Sequence, residues 1–234
     1  MPVDGDVSTA LIVGASRGLG LALAQEYLAR GWRVVATQRA EAGSGLRELV
    51  GRFGDRLEIE RLDITRSDEI RALRTRLSGR RLDLLFVNAG VTNDPRQPVG
   101  EVSTEEFIRV LVTNALGPMR AIEAFEDLVP TTGMIAAMSS GLGSVGDNEN
   151  GGWEVYRASK AALNTLMRSF AARHKESDRS LALVAPGWVR TDMGGPGAPL
   201  DVETSVTGVV NAIAAQTGRP GLRYLDYQGR TVRW

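Results

Sequence analysis

Short apolar, β-branched runs alternate along the chain with longer stretches whose apolar positions recur at helical spacing. Residues 10–13 read as a buried strand, followed by a helix over 19–30 that Gly31 closes. Residues 33–37 are the next strand and 44–53 the next helix, while 57–62 alternate as a half-buried or edge strand does. A helix over 67–77 sets Ile70, Leu73 and Leu77 on one face, and 82–87 are a fourth strand. A long helical stretch runs from Thr104, where a capping residue and first-turn acids open it, to about residue 128. Gly117-Pro118 predicts a kink or break inside it. Residues 133–138 are a fifth strand, 156–173 a helix, 181–184 a sixth strand, 202–216 a helix and 223–225 a seventh strand.

Alternation at this spacing predicts an α/β fold: a Rossmann-like, doubly wound parallel sheet of about seven strands with helices on both faces. No proline- or serine-rich linker and no repeat divides the sequence, which reads as one domain over 1–234. Ligands of such sheets bind outside the carboxyl ends of the strands. Gly14, Arg39, Asp63, Asn88, Ser140 and Pro186 all fall there.

Composition narrows the chemistry. With 43% hydrophobic and 24% charged residues, the 234-residue chain can bury a core. It has no cysteine, hence no disulfide, thiolate metal site or cysteine nucleophile. One histidine, His174, cannot build a histidine-rich metal centre, and no metal site is expected. Equal numbers of basic and acidic residues, 28 each, argue against a general nucleic-acid binder. No apolar run is long enough to cross a bilayer, and the polar, acidic opening residues do not form a signal peptide. A soluble, cytoplasmic protein is the expectation.

Gly14-Ala15-Ser16-Arg17-Gly18-Leu19-Gly20 joins the first strand to the first helix. Its glycines let the backbone turn tightly against a pyrophosphate, and the helix start offers free N–H groups to that anion. The same residues also fit Gly-x-Ser-x-Gly, the nucleophile elbow of serine hydrolases, with Ser16 as nucleophile. That reading needs His174 as base, and His174 lies in a polar helix end; only 13 residues precede the turn, too few for an oxyanion loop. Gly141 to Gly146 fits G-x-G-x-x-G as well, but no helical pattern follows at once, so a flexible loop is expected there.

Tyr156 and Lys160 stand four residues apart on a helical segment and share a face. Only Lys160 and Lys175 among the 28 basic residues are lysine. An ammonium near a phenol favours phenolate and lowers a pKa that is ordinarily ~10. Such a tyrosine can exchange a proton with an alcohol or carbonyl oxygen near neutral pH. Ser140, at the end of the fifth strand, offers a hydroxyl to the same oxygen. Asn114 sits inside a helix, where asparagine is disfavoured unless its amide is used.

Together these motifs resemble the classical short-chain dehydrogenase/reductase family over nearly the whole sequence. The resemblance rests on Gly14-x-x-x-Gly18-x-Gly20, Asp63, Asn88-Ala89-Gly90, Asn114, Ser140, Tyr156-x-x-x-Lys160 and Pro186-Gly187, in that order. Residues 138–144, 156–164 and 186–195 are most similar to its carbonyl reductase branch, which holds the sniffer and C-factor proteins. The resemblance implies a catalytic set of Asn114, Ser140, Tyr156 and Lys160. Tyr156 would be the acid in carbonyl reduction, and Lys160 would lower its pKa and bind the nicotinamide ribose. Ser140 would orient the carbonyl, and Asn114 would hold a water linking Lys160 to solvent. It implies a cofactor cleft of Gly14, Ser16, Arg17, Gly18, Leu19, Gly20, Arg39, Asp63, Ile64, Asn88, Ala89 and Gly90. Asp63 would contact the adenine, and Pro186, Gly187, Val189 and Thr191 would hold the nicotinamide. Three positions depart from the pattern: Val13 for threonine, Ala185 for histidine, and a spacing of fifteen residues between Ser140 and Tyr156.

An acid at the end of the second strand would bond the ribose of NAD; here Thr37-Gln38-Arg39 ends that strand, with no acid before Glu41. Arg17 and Arg39 suit a 2′-phosphate, so NADP(H) is expected rather than NAD(H). The substrate expected is a small carbonyl or its alcohol, with Ser140, Trp153, Trp188 and Met193 around it and residues 194–200 as a mobile lid. A homodimer or homotetramer is expected, with no nucleic-acid or membrane partner. A dinucleotide-sensing protein of the same fold is the alternative from another class; keeping Asn114, Ser140, Tyr156 and Lys160 together argues against it.

Overall fold

A computed structural model describes residues 7–39 and 44–234. Among the described residues seven strands and seven α-helices follow one another: β1 (Thr9–Val13), α1 (Gly18–Ala29), β2 (Arg33–Gln38), α2 (Ser44–Phe53), β3 (Leu57–Arg61), α3 (Ser67–Arg76), β4 (Leu84–Val87), α4 (Thr104–Leu111), α5 (Gly117–Phe125), β5 (Met134–Met138), α6 (Glu154–Arg173), β6 (Ser180–Ala185), α7 (Val202–Ala214) and β7 (Gly221–Asp226). The strands form one parallel sheet in the order β3-β2-β1-β4-β5-β6-β7. The chain winds outward from β1 in both directions, so the crevice opens between the carboxyl ends of β1 and β4.

Burial explains why the strands read as they did. β4, β5 and β6 are buried at every residue, as strands covered on both faces must be. The edge strand β3 has one buried residue, Leu57; its next three residues are half-buried and Arg61 is exposed, without the alternation its sequence suggested. Successive residues of β1 feed opposite layers. Leu11 and Val13 pack with Leu73 of α3, Phe125 of α5 and Phe170 of α6. Ala10 and Ile12 pack with Leu23 of α1, Leu46 of α2 and Val209 of α7. The expected doubly wound architecture is therefore present, with β7 longer than its three apolar-patterned residues suggested.

In the stretch over 104–128, the interruption expected at Gly117-Pro118 takes the form of a π-turn at Val112–Leu116 between α4 and α5; the backbone stays helical through it, and Pro118, which has no N–H to give the preceding turn, falls just after that wider turn. Gly117 is needed for packing, because a Cβ there would lie 2.8 Å from the Ile64 carbonyl. Residues 141–146 are not a free loop. Gly141–Gly143 form a 3-10 turn capped by the Ser140 hydroxyl, and the Gly146 N–H donates to the Trp234 carbonyl at 3.0 Å. No helix among the described residues is long and apolar enough to cross a membrane.

Candidate active site

The glycine turn is built by close approach. Gly14 has φ +88, and a Cβ on it would lie 2.8 Å from Ala89. Its N–H donates to the Thr37 hydroxyl at 3.0 Å, and its carbonyl accepts from the Asn88 amide at 2.8 Å. The turn is thus tied to β2 and β4. Gly20 does not line the cleft; a Cβ on it would sit 2.0 Å from the Gly14 carbonyl, so it lets α1 press against the turn. α1 carries no capping side chain and no acid in its first turn, which leaves its first N–H groups to an anion.

A cavity of about 1080 Å³ opens at these strand ends. Gly14, Ser16, Arg17, Gly18, Leu19, Arg39, Asp63, Ile64, Asn88, Ala89 and Gly90 line it, as do Pro186, Gly187, Val189 and Thr191. Ser140, Tyr156 and Lys160 line the same cavity, together with Trp153, Trp188 and Met193. Asp63 is preset: its carboxylate accepts from the Thr65 N–H at 2.9 Å and the Thr65 hydroxyl at 2.7 Å. Arg17 is already engaged, donating to Asp192 at 2.6 Å. Glu41 lies outside the described residues. The buried Gln38, which ends β2 where an acid would select NAD, has a side-chain oxygen without a hydrogen-bond partner.

Lys160 is 2% exposed and donates to the Met138 carbonyl at 2.9 Å, which uses one of its three N–H groups. Its Nζ lies 5.8 Å from the centre of the Tyr156 ring. Burial pulls the ammonium down to about 8. Burial also pushes the Tyr156 phenol up to about 12, against the pull of the Ser140 hydroxyl beside it. Loss of solvent thus outweighs the Ser140 hydroxyl, and the shift runs opposite to the acidified phenol expected beside Lys160. Asn114 is fully buried, behind the cleft wall rather than in it. Its amide accepts from the Val91 N–H at 2.8 Å and donates to the Val91 carbonyl at 2.8 Å and the Ser159 hydroxyl at 2.9 Å. A Cβ on Gly90 would lie 3.4 Å from Asn114 Oδ1 and 3.5 Å from Lys160 Nζ, so the glycine keeps open a gap that both polar atoms face.

Other candidates separate. His174 stacks on Phe170 at 4.3 Å and faces a different hollow, lined by Lys175 and Arg179 among others, so Ser16 receives no base. Residues 194–200, the expected lid, are bonded to the stretch that leads into them from β6. Trp188 Nε1 donates to the Gly194 carbonyl at 2.8 Å, and Arg190 donates to the Ala198 carbonyl at 2.9 Å and that of Pro199 at 3.0 Å. Among the described residues no group of three or more histidine, aspartate or glutamate side chains is placed to hold a metal. Trp153 precedes α6 with φ 54, a strained setting for a bulky residue, and meets the Tyr156 ring edge-on at 5.8 Å. Sequence reasoning missed Asp226, Tyr227 and Arg230, which close the cavity from the end of β7 and the turn after it. It also missed Thr37, whose position facing the glycine turn from the end of β2 was the available signal.

Residues 8–198 match the family model of short chain dehydrogenases. The chain belongs to that family of oxidoreductases. A short-chain dehydrogenase/reductase from Burkholderia multivorans, solved with bound NADP, superimposes with a TM-score of 0.96 at 58% identity, covering 98% of this chain and 100% of that one. A carbonyl reductase from Pseudomonas aeruginosa PAO1 in complex with NADP gives 0.91 at 40% identity, over 98% of this chain and 100% of that one. The C-signal protein of Myxococcus xanthus is 36% identical over 167 residues, 70% of this chain and all of its own length.

Proposed function

We propose that this short-chain dehydrogenase is an NADP(H)-dependent carbonyl reductase that interconverts a ketone or aldehyde and its alcohol. The observation that carries the reading is one cavity shared by a phosphate-suited glycine turn and by Ser140, Tyr156 and Lys160. The residues suit the dinucleotide: uncapped N–H groups at the start of α1, the crowded Gly14 and Gly20, and the unpartnered oxygen of Gln38. NADP, not NAD, is the cofactor, as in the two similar solved structures, and Arg17 and Arg39 are its 2′-phosphate partners.

Reduced nicotinamide, when bound, supplies a hydride to the carbonyl carbon. The chain supplies the rest. Ser140 donates a hydrogen bond to the carbonyl oxygen and fixes its direction. Tyr156 passes its phenolic proton to that oxygen as the alcohol forms, and a pKa of about 12 keeps the proton available through neutral pH. Lys160 steadies the resulting phenolate and holds the ribose hydroxyls with its two remaining N–H groups. Asn114 Oδ1 and Lys160 Nζ both face the space that Gly90 leaves without a side chain, and the proton is replenished from that side. Trp153, Trp188 and Met193 wall the apolar part of the substrate pocket. Exposed Phe107, Ile108, Leu116 and Leu166, on α4, the π-turn and α6, are the surface through which the chain forms a homodimer or homotetramer.

The test is a panel of ketones and aldehydes assayed with NADPH and NADH, beside Tyr156→Phe. Reduction with NADPH that falls about a thousandfold in the variant supports the assignment. Reduction that survives unchanged refutes it. The likeness to C-signal favours one other reading, a signalling protein; absence of turnover across the panel, with NADPH still bound, would select it.

A further inference from the structure

Tyr224 of β7 is 1% exposed, the bulkiest fully buried side chain among the described residues. Its hydroxyl donates to the main-chain carbonyl of Ser140, 84 residues away in the chain. Ser140 lies beyond the last β5–β6 pair, Met138 with Val184, so its carbonyl has no partner strand. It is met instead by the Gly143 N–H at 2.8 Å and by the Tyr224 O–H. The Ser140 side-chain oxygen accepts from the Leu142 N–H at 3.1 Å, which leaves the serine's own proton to point elsewhere. Directly below, the Ser139 hydroxyl donates to Asn164 Oδ1 at 2.6 Å, and the Asn164 amide donates to the Gly143 carbonyl at 3.1 Å.

Tyr224 is itself held from outside. The Val232 N–H donates to its carbonyl at 2.9 Å. The Trp234 ring packs on its ring at 5.4 Å between centres, and the Arg168 guanidinium lies 4.5 Å from the centre of Trp234. A phenylalanine would fill this space equally well. The hydroxyl carries a burial cost that its hydrogen bonding offsets; the Ser139 and Asn164 side chains stand beside it, and its bond to the main chain ends on the peptide of the cleft serine.

We propose that Tyr224 is a positioning residue for carbonyl reduction: it fixes the Ser140 peptide so that the serine hydroxyl meets the substrate oxygen and the Tyr156 phenol in one arrangement. This rests on the reading above that Ser140 and Tyr156 act on the carbonyl. Removing the hydroxyl leaves the cofactor and substrate surfaces intact but loosens the serine, so kcat changes and KM does not.

The experiment compares Tyr224→Phe, Ser140→Ala and the double variant in NADPH-dependent reduction, with NADPH binding followed by fluorescence. Tyr224→Phe is expected to lower kcat about tenfold with KM and NADPH affinity unchanged. The double variant is expected to be no slower than Ser140→Ala alone, because the tyrosine acts through the serine. A wild-type kcat in Tyr224→Phe beside a crippled Ser140→Ala overturns the inference and leaves the reaction assignment standing. So do losses that multiply in the double variant, or a parallel loss of NADPH affinity, since either marks a merely structural role. Full activity in Ser140→Ala overturns the reaction assignment, and this inference with it. Should Tyr224→Phe fail to fold, Trp234→Ala, which leaves the hydroxyl but frees its ring, is judged by the same criteria.

Discussion

Arg17 and Asp192 meet guanidinium to carboxylate at 2.6 Å, one from the glycine turn and one from the loop after β6, and both are largely exposed. An exposed pair of this kind is worth no more than about 1 kcal/mol, so a phosphate can displace the carboxylate. Arg17→Ala together with Arg39→Ala should raise KM for NADPH about 10- to 100-fold, the loss of charge-assisted bonds, and leave KM for NADH nearly unchanged. Asp192→Asn should lower KM for NADPH by at most about fivefold. Equal effects of the arginine changes on both cofactors would show that neither side chain reads the 2′-phosphate.

Lys160 makes stability depend on pH in a definite direction. Burial brings the ammonium down to about 8 from its ordinary 10.5. Below pH 8 both folded and unfolded chains hold the proton, and the folded chain bears the full cost of a buried charge. Between 8 and 10.5 the unfolded chain binds more protons, so stability rises with pH. Lys160→Met removes that cost and gives up the bond to the Met138 carbonyl, a net gain of about 2 kcal/mol at pH 7. Calorimetry should show the variant melting several degrees higher at pH 7, with the gap narrowing towards pH 10. A variant less stable at pH 7 would mean that the amine earns more from its partners than burial removes.

The sheet was legible because burial on both faces forces unbroken apolar runs, and β1, β4, β5 and β6 have little else. The cavity wall was legible for a related reason: Gly14, Asp63, Asn88, Ser140 and Pro186 follow strands directly, so topology carries them to one edge. What escaped depends on side-chain direction and distance. Nothing local tells that Asn114 is bonded to the Val91 main chain behind the cleft wall, that burial raises the pKa of the Tyr156 phenol, or that Tyr224 reaches Ser140. Gly117-Pro118 marked an interruption, but not that it takes the form of a π-turn over the preceding Val112–Leu116 or that Gly117 passes Ile64.

Gly20 separates packing from ligand contact. Its absent side chain faces the Gly14 carbonyl and the Asn88 amide, where a Cβ would lie at 2.0 and 2.6 Å. Both are fixed, one by backbone and one by its bond across the turn, so neither can yield. Gly20→Ala should therefore cost about 1–3 kcal/mol in urea unfolding, the range for overpacking. It should also weaken NADPH binding at least tenfold, because α1 and the turn must move apart. Gly18→Ala should act through its φ of +55 alone, since the nearest atom to its Cβ is 3.9 Å away. An alanine at residue 20 that leaves binding untouched would show that α1 can shift without disturbing the turn.

The pH dependence of the reaction follows from two buried groups moved in opposite directions. Tyr156 keeps its proton to about 12, while Lys160 loses its own at about 8. Reduction needs the phenolic proton and the ammonium that steadies the phenolate left behind, and both are present below pH 8. The first group to fail on the alkaline side is the amine, so kcat/KM for carbonyl reduction should stay level from about pH 6 to 7.5 and fall along a limb centred near 8. Alcohol oxidation needs the phenol without its proton beside the same ammonium, so its rate should climb with pH up to about 8 and level off as the amine loses its proton. Profiles in both directions with one substrate pair measure this. A reduction limb centred below pH 7, or a rate still level at pH 9.5, would mean that the Lys160 amine does not set the alkaline boundary.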